Sequence, residues 1–183
     1  MNNAQQVARN TGIAAGRILT AGASRLSSSI DTFSVWLLAG FGAVFGLLIA
    51  NFDSLSTHIS PLNIKVGAGF FIVSAALGAA QKFIAAYVAA TSASSEQGRE
   101  IGDDLVLSGD SIDFDGMFRE VRRGLFWPLD VINERMVAKA MAGDFAIGAR
   151  QVAKATQVQL VAMLLQVVIS LVSAVVVVCG INL

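Results

Sequence analysis

The chain divides by its apolar stretches into three long runs and two mixed segments. The first run, from about Thr32 to Phe52 (TFSVWLLAGFGAVFGLLIANF), contains no charge. The second begins near Val66, extends to about Ala90, and is interrupted only by Gln81 and Lys82. The third runs from about Val158 to Ile181. A hydrocarbon layer about 30 Å thick is crossed by about 20 helical residues, so each run is long enough to span a bilayer. The pattern predicts an all-α, polytopic membrane protein with three transmembrane helices. Its parts are an N-terminal segment over 1–31, a hairpin over 32–90 (spans 32–52 and 66–90), a cytoplasmic segment over 91–157, and a third span over 158–183.

The N-terminal segment reads as an amphipathic helix. Val7, Ala15, Ile18, Leu19, Leu26 and Ile30 share one arc, with Arg9, Arg17, Ser24 and Ser27 largely opposite. Such a helix is expected to lie at the membrane surface and lead into the first span. It lacks the short apolar core of a cleavable signal.

The spans differ in what their faces carry. Packed faces in a bilayer are built from small residues, because lipid gives apolar side chains no reason to leave it. Span one carries Ala39, Gly42, Ala43, Gly46 and Ala50 on one side. Span two carries Gly67, Ser74, Gly78, Ala85 and Ala89. These faces are expected to close an antiparallel hairpin around the loop containing Pro61, or to pair between subunits. In span three, Gln159, Gln166, Ser170 and Ser173 fall on one stripe among Val, Leu, Ile and Met. An amide or hydroxyl facing lipid loses its water partners, so this stripe must face protein or water. It is expected either to hydrogen-bond across helices or to line a polar pore shared by several copies. Lys82 beside Gln81 is a charge within an apolar run. It is expected either to meet Gln166 or Gln159 or to extend its stem to the headgroups.

The intervening segment changes sign along its length. Residues 92–115 are acidic, and their Asp113-Phe-Asp115-Gly116 run lacks the ligand spacing of a calcium loop. Next, Phe114, Met117, Phe118, Val121 and Leu125 form one stripe, opposed by Arg119, Glu120, Arg122 and Arg123. Phe126 and Trp127 follow. Basic and aromatic residues on a short helix are expected to meet anionic headgroups or a protein partner, so Arg119, Arg122, Arg123, Phe126 and Trp127 are the candidate contacts. From Leu129 to Gln157 apolar residues occupy two sides of a helix, which favours sandwiching between neighbours. Gly143 and Gly148 are potential breaks.

Composition and charge then fix orientation and narrow the chemistry. The chain has 183 residues, 55% hydrophobic and only 14% charged, with 13 basic and 13 acidic side chains. Arg9, Arg17 and Arg25 precede span one; Arg99, Arg119, Arg122, Arg123, Arg135, Lys139, Arg150 and Lys154 lie between spans two and three. Lys65 alone lies in the first loop, and nothing basic follows span three. By the positive-inside rule the N-terminus is expected in the cytoplasm and the C-terminus outside, in an inner membrane of bacterial type. The balanced charge argues against nucleic-acid binding. One His and one Cys are too few for a zinc site or a Cys–His nucleophile, so no metal, cofactor or catalytic residue is expected. The leading expectation is a non-enzymatic protein acting as a homo-oligomer or as a scaffold subunit of a larger membrane complex. The alternative is an oligomeric pore of the holin or defence-effector type, lined by the stripe of span three.

Overall fold

The computed structural model describes residues 3–108, 113–124 and 129–181. The described residues form six helices: α1 (Asn3–Ala50), α2 (Phe52–Leu55), α3 (Pro61–Ser108), α4 (Phe114–Arg123), α5 (Leu129–Met141) and α6 (Ile147–Val178). No strand occurs among them; the one extended pairing is an isolated antiparallel bridge between Ile59 and Ile181. Helices α1, α3 and α6 are each long and apolar enough to cross a membrane. At 1.5 Å per residue, the 48-residue α1 and α3 are each about 72 Å long, more than twice the thickness of a hydrocarbon core. The expected boundary near Asp31 is not a helix end. No Pro or Gly interrupts the chain there, Ser29 and Thr32 turn their hydroxyls to the carbonyls of Arg25 and Ser28, and α1 continues through. Likewise α3 starts at Pro61, whose fixed φ and missing N–H suit a first helical position, and continues into the acidic stretch as far as Ser108.

The chain forms two compact units. One comprises residues 25–88 and 155–183, and so contains the apolar parts of α1, α3 and α6. Its interior follows a heptad rhythm. On α3 the inward positions are Ile64, Gly67, Phe71, Ser74, Gly78, Gln81, Ala85 and Val88, at alternating steps of three and four. On α6 they are Thr156, Gln159, Met163, Gln166, Ser170, Ser173 and Val177, at the same steps, with Gly180 continuing the rhythm in the turn that follows. A strict seven-residue repeat keeps one seam facing its partners only if the helices wind around each other left-handedly. Contact order gives the directions. Ser27 meets Gln159 and Ser34 meets Gln166, one heptad on in both helices, so α1 and α6 run parallel. Gly67 meets Ser173 and Gln81 meets Gln166, so α3 runs antiparallel to α6.

The end of this bundle opposite Lys82 is stapled by backbone and amide bonds. Ser60 N–H donates to the Gly180 carbonyl at 2.8 Å, and Asn63 Nδ2 donates to the Val176 carbonyl at 2.9 Å. Phe45 and Phe71 stack between α1 and α3, with ring centroids 5.0 Å apart.

The other unit comprises residues 1–24 and 89–154. Here Gly12 and Gly16 of α1 lie against Phe145, Ala146 and Ala149, and the Arg9 guanidinium sits 5.7 Å from the Phe145 ring centre. Arg150 pairs with Asp144. Gly143, at φ +96°, ends α5: its N–H donates to the Ala140 carbonyl while the Asp144 N–H reaches back to that of Lys139. This double bond pattern needs a left-handed residue, which glycine adopts without a Cβ clash. Gly148, the other candidate break, sits inside the first turn of α6.

Candidate functional site: a buried polar seam

The bundle of residues 25–88 and 155–183 is polar inside and apolar outside. Ser27, Ser34, Ser74, Gln81, Thr156, Gln159, Gln166, Ser170 and Ser173 are all buried. Trp36 and Phe83, by contrast, are 75% and 80% exposed, and Leu47, Ile72, Leu164, Val168 and Val175 also face outward. In water this arrangement would be unstable, because the driving force for burial acts on apolar surface. In a bilayer it is the favourable one: the apolar side chains meet lipid, and the hydroxyls and amides find each other.

The seam is built in layers. Ser27 Oγ donates to Gln159 Oε1 at 2.7 Å, and Gln159 Nε2 returns a bond to the Ser27 carbonyl at 3.3 Å. One heptad on, Gln166 Oε1 accepts from both Ser34 Oγ at 2.8 Å and Gln81 Nε2 at 2.7 Å, joining all three helices. The Ser74 and Ser170 hydroxyls follow, 2.7 Å apart. Ser173 Oγ then donates to the Gly67 carbonyl at 2.7 Å. The short residues are what permit this. A methyl group on Gly67 would lie 2.6 Å from Val177 Cγ2 and 3.2 Å from the Ser173 carbonyl oxygen. One on Gly78 would lie 2.5 Å from Leu38 Cδ1 and 3.0 Å from Gln166 Nε2.

The structure brings together most of the helix-face residues singled out in the sequence and separates the rest. Gln159, Gln166, Ser170, Ser173, Gln81 and Gly78 all lie in the seam. The third-span stripe therefore bonds to helices of its own chain. Gly42 sits at its margin, with Phe71 Cζ 3.7 Å from where a Cβ would be, but Gly46 faces open space. The small face of span one is thus not the face that closes the hairpin; Ala39, Ala43, Gly46 and Ala50 are exposed.

Of the two contacts expected of Lys82, the one with Gln166 or Gln159 does not form: its Nζ pairs with Asp31 Oδ2 at 2.7 Å, and its side chain is 51% exposed. One residue is about 100° of helix rotation, so the step from Gln81 to Lys82 carries the ammonium out of the seam. A carboxylate there neutralises its charge, which an amide cannot do. Sequence reading missed Asp31 because it stood at the assumed end of the N-terminal segment. The signal available was its position as the first acid in the chain, at the edge of a charge-free run.

Of the candidate headgroup contacts, Arg119 and Arg123 lie exposed on α4. Arg123 Nη1 pairs with Glu120 Oε1 at 2.6 Å, and Arg119 Nη2 lies 3.8 Å from Asp113 Oδ2. Exposed pairs of this kind contribute at most about 1 kcal/mol. Asp113 also caps α4, its Oδ1 accepting from Gly116 N–H at 3.0 Å, which is the ordinary use of an Asp before a helix. Phe126 and Trp127, and the side chain of Arg122, lie outside the described residues. Comparison with protein families, curated proteins and solved structures finds no match.

Proposed function

We propose that the chain is a non-enzymatic integral membrane protein that acts as a homo-oligomer or as a scaffold subunit of a larger membrane complex. One observation carries this reading: the polar groups of the three candidate spans bond to one another within one chain, while the small-residue side of α1 is left uncovered. Gly40 and Gly46 have nothing within 4 Å of where a Cβ would stand. Beside Gly40, on a different side of α1 from Gly46, a cavity of about 510 Å³ lies between α1 and α6, lined by Trp36, Gly40, Val44, Ala174 and Val178 among others. In a bilayer, small residues let backbones approach, so this side of α1 suits a further helix, from a second copy or from another membrane subunit.

In this reading the N-terminus and the 91–157 segment are cytoplasmic and the C-terminus is outside, in a bacterial inner membrane, as the Lys/Arg distribution favours. Leu26 on α1 is an exposed apolar group, as are Met117 and Val121 on α4. They supply the amphipathic surfaces for the inner leaflet, with Arg119 and Arg123 toward anionic headgroups.

Native mass spectrometry of protein extracted with its lipids tests the proposal. Wild type is expected as an oligomer or a defined complex, and Gly46→Leu, which adds bulk to the open side only, is expected to release the single chain. A wild-type chain that runs alone overturns the reading. So does ion flux through reconstituted vesicles that is abolished by Gln166→Leu with Ser170→Ala, since that result would assign the stripe to a pore.

A further inference from the structure

Three buried polar atoms of the bundle are left without a partner: Asp31 Oδ1, Gln81 Oε1 and Gln166 Nε2. They belong to one connected set. Gln81 and Gln166 share a hydrogen bond, and Gln166 also holds Ser34, three residues on from Asp31. Asp31 in turn holds Lys82, the neighbour of Gln81. Ser34, Gln81 and Gln166, one from each helix, therefore meet at this level of the seam with the Asp31–Lys82 pair beside them, and each of Asp31, Gln81 and Gln166 has one polar atom still unspent.

The amide assignment does not remove the problem. With Gln166 Oε1 as acceptor, its own Nε2 and the Gln81 oxygen are left over. Exchanging N and O on both amides lets Gln166 donate to Ser34 and to Gln81, and leaves the Gln166 oxygen and the Gln81 nitrogen over instead. Exchanging only one sets two like atoms against each other. Every consistent arrangement leaves one amide donor and one amide acceptor, beside one carboxylate oxygen.

We infer that this layer is a binding site for water inside the apolar part of the bundle, held by Asp31 Oδ1, Gln81 Oε1 and Gln166 Nε2. The mixture of groups selects the guest. A metal cation would be opposed by the amide N–H and by the Lys82 ammonium, which already balances the Asp31 charge. An anion would be opposed by the carboxylate and the amide oxygen. A small neutral molecule that both donates and accepts satisfies all three, as internal waters do at otherwise orphaned buried groups. The half-exposed Lys82–Asp31 pair marks the side from which it enters. The inference does not depend on whether the chain works alone or in an assembly.

The test is water-to-amide cross-relaxation by NMR on the full chain in phosphatidylethanolamine/phosphatidylglycerol nanodiscs. The side-chain amide of Gln166, or that of Gln81 in the exchanged arrangement, is expected to show a cross-peak to water with the sign of a long-lived bound molecule, unchanged when sodium chloride is replaced by choline chloride. No water cross-peak from either the Gln81 or the Gln166 amide, in a sample where the exposed Gln6 amide shows one, overturns the site. Gln81 and Gln166 resonances that move with sodium concentration overturn it in favour of a cation. Both readouts are made on wild-type protein, so neither depends on a variant folding.

Discussion

Replacing Gln166 with leucine is expected to destabilise the bundle by about 1–3 kcal/mol, and replacing Gln81 as well is expected to restore most of that loss. Gln166 Oε1 is the acceptor for two donors from two different helices. Ser34 has a fallback once it is gone. A helical hydroxyl can turn to the carbonyl one turn back, as Thr32 does with Ser28 at 2.9 Å. Gln81 has no such option: its amide is wholly buried, with its oxygen already unpartnered. A buried donor stripped of its acceptor costs about 1–3 kcal/mol, far more than the roughly 0.6 kcal/mol that an average interhelical hydrogen bond contributes in a bilayer. The double variant Gln81→Leu/Gln166→Leu removes the stranded group along with its cause, and an apolar pair of similar volume is close to neutral. A double-mutant cycle in an equilibrium unfolding assay checks this. The two substitutions should be strongly non-additive; simple addition would mean that the two amides do not meet.

The second large effect is expected at Gly67. Valine there should cost about 1–3 kcal/mol, whereas valine at Gly46, whose effect falls on assembly and not on the fold of the chain, should leave the dissociated single chain within about 0.5 kcal/mol of wild type. A Cβ on Gly67 meets a methyl of Val177, which can rotate away, but also the carbonyl oxygen of Ser173 at 3.2 Å, which cannot. Relief therefore requires α3 and α6 to separate. Separation breaks the bond from Ser173 Oγ to the Gly67 carbonyl, the closest polar link between those helices at that level. At Gly46 the added group enters open space. Thermal unfolding of the two variants as dissociated single chains, in the same detergent, measures the contrast. Equal stabilities would show that the α3–α6 approach at Gly67 is not as close as described.

The contrast between these glycines also shows how far the sequence could be read. The three apolar runs were legible because bilayer thickness sets their length, and they appear as the apolar parts of α1, α3 and α6. The stripe of Gln159, Gln166, Ser170 and Ser173 was legible because a polar group in a span must hide from lipid, and all four are buried. The small face of span two was legible for the same reason, with Gly67, Ser74 and Gly78 packed inside. Span one was not. Its small residues read like those of span two, yet α1 turns Ser27, Ser34 and Phe45 inward instead. Hydroxyls that answer the glutamines of α6 outweighed small size in choosing its buried face, and that choice depends on the register between two helices 132 residues apart in the chain. The Asp31–Lys82 pair was hidden likewise, because its partners are 51 residues apart.

The central claim is that the three spans pack on one another within a single chain around a polar seam. It is tested most directly by Ser74→Cys/Ser170→Cys in a Cys179→Ser background. The two hydroxyl oxygens stand 2.7 Å apart, close enough for two sulfurs in their place to bond with little backbone movement. Mild oxidation in the membrane is expected to give a disulfide within one chain, seen as a single-chain band of altered mobility that reverts on reduction. A disulfide-linked dimer, or no cross-link at all, would contradict the account, because the seam would then lie between chains or not form.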